Sequence, residues 1–242
     1  MIPRPASLAS AQAVMFFGPG TKVQGSRLLR LLPESMLERF DGDPVLPPNP
    51  GSVQLSIPGF SFPAILLNRR DGNVQMSISD QRADVTSPAG QLDDSLDAFF
   101  ATACESLLTV RGLLSANVPR VAAVVHRYRA FPNPARALAD QFCREGLVQS
   151  GPLNRPENFE LHAHKIFRTA FGAQVNSWVR NRTGVVTATN TPVVSVEQDM
   201  NTIPAEDGSA LTDASVSMFF RGITAELDRA LLLYYPNPST DL

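Results

Sequence analysis

Three histidines, a single tryptophan and a set of alternating arginines and carboxylates carry most of the chemistry this sequence offers. His162 and His164 stand two apart; the third is His126. Residues 159–169 read as a strand, in which side chains two apart share a face. Glu160 therefore joins His162 and His164, opposite Phe159, Leu161 and Ala163. A neighbouring strand places Ser195, Glu197, Asp199 and Asn201 on one face, opposite Val194 and Val196. Imidazoles and carboxylates converging across strands can hold a divalent metal, which makes His162, His164, Glu197 and Asp199 the candidate ligands. Another strand sets Asn176, Trp178, Arg180 and Arg182 on one face. An indole interleaved with guanidinium groups can stack on bases and neutralise phosphates, or anchor a protein contact. Trp178, Arg180, Arg182 and Glu160 are the candidate binding residues.

The usual catalytic signatures are missing. No G-x-x-x-x-G-K-[ST] is present, and Gly18-Pro19-Gly20 lacks the lysine and hydroxyl of a phosphate cradle. Neither a G-x-S-x-G elbow nor an H-E-x-x-H pair occurs. Cys104 and Cys143 lie far apart within helical patterns and read as small packing residues in a reducing compartment. No cofactor is expected.

The elements that must position these residues follow from periodicity. Residues 12–17 form a short apolar strand ended by Gly18-Pro19-Gly20. Residues 26–40 are Leu-rich at helical spacing, with Pro33 kinking or restarting the helix. Residues 43–51 are a Pro-rich loop, and Val53, Leu55 and Ile57 alternate as a half-buried strand. Residues 62–69 and 73–79 flank Arg70-Asp71-Gly72 as a hairpin, Gly72 accepting positive φ. Residues 91–114 form a long helix with Leu92, Leu96, Phe99, Ala103, Leu107, Val110 and Leu114 on one stripe. The order then restarts with a strand over 120–131 and a helix capped by Asn133, opened by Pro134 and closed by Gly146. Residues 159–169, 175–182, 185–189 and 193–201 make an antiparallel set. A closing helix over 212–234 buries Val216, Phe220, Ile223, Leu227, Ala230 and Tyr234.

The expected fold is α+β, with two βαβββ(β)α halves, 1–118 and 119–242, each an antiparallel sheet with long helices on one face. Ala98-Phe99-Phe100 and Met218-Phe219-Phe220 match between halves, 120 positions apart, which suggests an internal duplication merging into one sheet. The element order resembles the duplicated saddle of the TATA-box-binding-protein type, at the level of fold. The chain also resembles a sporadically distributed family of uncharacterised bacterial proteins. That resemblance is carried by Pro119-Arg120-Val121 through Tyr128, by Ser195-Val196-Glu197-Gln198-Asp199 and by Phe219-Phe220-Arg221-Gly222-Ile223-Thr224. Phe131-Pro132-Asn133 departs from the family's aromatic-Ile-Asn pattern, and the resemblance implies no catalytic residues.

The chain has 242 residues, 21 basic against 23 acidic, and a net charge of -2. That balance argues against a strongly basic nucleic-acid binder. No apolar run is long enough to span a membrane, and residues 1–13 have no continuous apolar core of a signal peptide, so a bacterial cytoplasmic protein is expected. The face opposite the core is bland in the first half, with Gln54, Ser56, Gln75, Ser77 and Ser79, and rich in chemistry in the second. The leading expectation is a non-enzymatic binding or assembly protein with a protein partner or self-association. Residues 231–235, Leu231-Leu232-Leu233-Tyr234-Tyr235, are one candidate contact between copies. The alternatives are a metal-dependent hydrolase or sensor using His162, His164, Glu197 and Asp199, and a single-stranded nucleic-acid binder using Trp178, Arg180 and Arg182.

Overall fold

The computed structural model describes residues 7–46, 63–88, 95–151 and 156–234, with the side chains of 232–234 set aside. Among the described residues eight strands form one open antiparallel sheet: β1 (Ser7–Phe16), β2 (Ile65–Asn68), β3 (Gln75–Ile78), β4 (Arg82–Ser87), β5 (Arg120–Ala130), β6 (Glu160–Arg168), β7 (Gln174–Val186) and β8 (Thr191–Thr202). Among the described residues six helices accompany them: α1 (Gly25–Leu31), α2 (Glu34–Arg39), α3 (Leu96–Leu114), α4 (Pro134–Phe142), α5 (Glu145–Gln149) and α6 (Asp213–Tyr234). The strand order is β2-β3-β4-β1-β5-β8-β7-β6, so the sheet runs unbroken across the 118/119 boundary through the β1–β5 pair. No helix among the described residues is long and apolar enough to cross a membrane.

Alternation decides which side each strand buries. Ala11, Ala13 and Met15 of β1, Val121, Ala123 and Val125 of β5, and Met200 of β8 meet Phe99, Phe100, Leu107, Phe219, Phe220 and Ile223 in the main core. A smaller cluster joins Leu138 of α4 to Val179, Val194 and Val196. All of these strand residues share one face, so the other face carries no packed helix among the described residues. Rings from α3 and α6 seal the middle of the core, with Phe100 and Phe220 stacked at 6.0 Å. Cys104 lies in this α3–α6 contact, its thiol 3.9 Å from the Ser217 hydroxyl.

Several expected boundaries move, each for a local reason. Pro33 ends α1 and opens α2, as its missing N–H requires. Helix α3 starts at Leu96 because Ser95 caps it, accepting from the Ala98 N–H at 3.2 Å; Leu92 lies outside the described residues. Gly146 does not close the Asn133-capped helix, which ends at Cys143 in extended backbone; Gly146 belongs to α5. Gly184 does not break β7; of the separate strand expected over 185–189, residues 185–186 are the end of that long strand and 187–189 are turn. Asn190, at φ 53°, makes the turn into β8 instead. The strand over 53–57, with Gln54 and Ser56, falls outside the described residues. Strand β4 was not anticipated: Ala83 and Val85 supply only two core positions between polar neighbours.

Candidate functional site

The open face is built from cross-strand rows, because opposed residues in an antiparallel sheet project together. One row runs from Ser10 through His126, Glu197 and Arg180 to His162. The next runs from Gln12 through Val124, Asp199 and Trp178 to His164. Tyr128, Ser195, Arg182 and Glu160 form a third. Trp178 and Arg180 thus share a face of β7, with His164 and His162 opposite them on β6, as period-two alternation predicts. On the other side of β7, Val175, Ser177, Val179 and Asn181 are buried beneath the helices.

Trp178 is half-buried and sits between cationic or titratable neighbours. The His164 ring stacks on it at 4.2 Å and 20°, and the Arg180 guanidinium lies 5.4 Å from its centroid. A hydrogen bond joins the His164 Nε2 to the Asn176 Oδ1. Arg180 is paired with Glu197, whose other oxygen is 3.9 Å from the His126 Nδ1. His162 pairs instead with Glu160 on its own strand, at 3.5 Å. Asp199 accepts from Asn201 at 3.1 Å. The Nε of Arg182 is buried and donates to no partner among the described residues.

The four candidate metal ligands are not gathered. Strand β8 is not the neighbour of β6; β7 lies between them, about 10 Å of sheet. His162 and Glu197 are therefore separated by Arg180, and His164 and Asp199 by Trp178. Among the described residues no group of three or more His, Cys, Asp or Glu side chains is placed to hold a metal ion.

Two features escaped the sequence pattern. His126 belongs to the charged row, but β5 is apolar on both faces at Ala122, Ala123, Val124 and Val125, so alternation gave no direction. The first-half face is also less bland than its serines and glutamines suggest. Asp84 is buried there, accepting from the Gln12 amide at 3.0 Å and lying 3.3 Å from the Arg82 Nε. Burial pushes its carboxyl above the ordinary carboxylate range, against the opposing pull of Arg82 and Gln12.

Beneath the sheet, Arg127 is also nearly inaccessible. Its guanidinium donates to the Gln198 side chain and, at 2.8 Å, to Asp228 of α6. The Gln198 amide donates to the Leu227 carbonyl at 2.7 Å. This network ties β5 and β8 to α6 and holds the charged row's strands in register.

Comparison with known proteins adds little. No family model matches the chain, and no curated protein matches it. Among solved structures, it is similar to the di-domain ARO/CYC StfQ from the steffimycin biosynthetic pathway, at 12% identity over 66% of this chain and 67% of that one. The TM-score is 0.21, a likeness too slight to argue from.

Proposed function

We propose that this chain is a non-enzymatic binding protein whose contact surface is the open face of β5–β8, centred on Trp178. The observation that carries the reading is the half-buried indole held between His164 and Arg180 on a face to which none of the described helices packs. Trp and Arg are enriched at the centres of protein contacts. The same geometry weakens the nucleic-acid alternative, since His164 already occupies one face of the indole that a base would need.

We further read the chain as an internal duplication. The order strand, two helices, three strands, long helix occurs twice, and the sheet order is symmetric about the β1–β5 pair. Phe99-Phe100 and Phe219-Phe220, matched in sequence, meet in the core.

Trp178→Ala tests the binding reading when a thermal melt is run beside quantified capture of partners from cell extract. The expected result is a melting temperature close to wild type and capture weakened by ~1–3 kcal/mol. A stability loss of ~3–5 kcal/mol with capture unchanged would mean that the indole is a packing residue and the reading is wrong.

A further inference from the structure

The sheet ends at β6, and the β6–β7 register fixes which way the backbone of that edge is turned. The Thr169 N–H donates to the Ala173 carbonyl at 2.8 Å, and the Phe159 carbonyl accepts from the Thr183 N–H at 3.2 Å. Both contacts extend the register that pairs Leu161 with Asn181 and Ala163 with Val179. In an antiparallel pair, backbone groups face the neighbour at every second residue. The odd-numbered residues of β6 therefore spend their backbone groups on β7. Glu160, His162, His164, Ile166 and Arg168 turn theirs outward, and among the described residues no strand takes them up. All five side chains are exposed, Ile166 at 54%.

Charged residues on an edge usually discourage pairing. Here their arrangement suits one partner, a second copy of the same strand. Antiparallel pairing of β6 with itself about a two-fold axis at His164 sets Glu160 opposite Arg168 at both ends. It also sets Leu161 opposite Phe167 on the helix-bearing face. His164 then meets its counterpart, each ring held back on its own Trp178. Every pair of outward-turned residues falls on a hydrogen-bonding position of the new ladder. Sliding the register by two residues loses this match, setting Glu160 against Ile166 in one direction and Arg168 against His162 in the other. The present contacts of the end charges are exposed, with Arg168 on the Gly172 carbonyl at 2.9 Å and Glu160 on His162.

We infer that the protein forms a two-fold dimer through β6, centred on His164, joining two sheets edge to edge. The inference does not rest on Trp178 as a binding surface. Light scattering coupled to gel filtration over a dilution series tests it. Wild type should run as a dimer that dissociates on dilution. Glu160→Arg should raise the dissociation constant roughly tenfold or more, because two attractive pairs become repulsive. Combining it with Arg168→Glu should restore wild-type dissociation. Ile166→Pro removes an outward N–H without touching the β6–β7 ladder, and should give a monomer with a near-wild-type melting curve. A wild-type monomer at every concentration, or a Glu160→Arg dimer as tight as wild type, would overturn the inference.

Discussion

Asp84 is the residue whose behaviour the structure constrains most sharply. Its pKa is raised by burial, so its folded value lies above its unfolded one. Such a carboxyl contributes stability that is fully present below the unfolded pKa and is lost as pH rises through the folded pKa. Asp84→Asn keeps an acceptor for Gln12 and removes that loss. The variant should melt higher than wild type at neutral pH. The difference should close as pH falls below the carboxylate range, read by thermal melts across a pH series. Arg127 should behave in the opposite sense. Arg127→Ala leaves the buried Gln198 Oε1 without its donor and severs the tie to the exposed Asp228, and should cost about 1–3 kcal/mol in urea unfolding. Neither position stood out in the sequence. A lone Asp or Arg in a strand looks solvated until its neighbours across the sheet are known.

At the scale of elements, two helical glycines give predictions of opposite sign. A Cβ at Gly112 of α3 would meet nothing within 4 Å, so Gly112→Ala should stabilise by about 0.5–1 kcal/mol through helix propensity alone. A Cβ at Gly222 of α6 would lie 2.4 Å from the Phe171 ring, which packs edge-on against Phe219. Gly222→Ala should therefore cancel the propensity gain and destabilise, since the ring joining the β6–β7 turn to α6 must move; paired melts of the two variants check this. Elements of this kind were mostly legible in the sequence. The buried stripes of α3 and α6, the restart at Pro33 and the alternation of β6, β7 and β8 follow from spacing and backbone chemistry. Strand β4 was not legible, because its identity depends on pairing with β1 and β3 rather than on its own apolar content.

At the scale of the molecule, the order of strands governs what the candidate residues can do together. The contents of the open face were legible as lists for separate strands, and Trp178 with Arg180 opposite His164 with His162 follows from alternation. The β1–β5 and β5–β8 pairings leave no local mark, but the place of β7 between β6 and β8 follows from the short turns that join these three strands, and reading β8 as the neighbour of β6 overlooked it. That one fact separates His162 and His164 from Glu197 and Asp199, and it leaves a row of salt-bridged side chains around an indole. The central claim, that this face is a contact surface, is tested most directly in the cell where the protein is made. A photo-crosslinking amino acid placed at Asn176, beside Trp178 on the open face, should give discrete adducts of defined mass on illumination. The same group at Met218, exposed on α6 at 48%, should give none. Adducts from Met218 with none from Asn176 would contradict the account and move the contact surface to the helices.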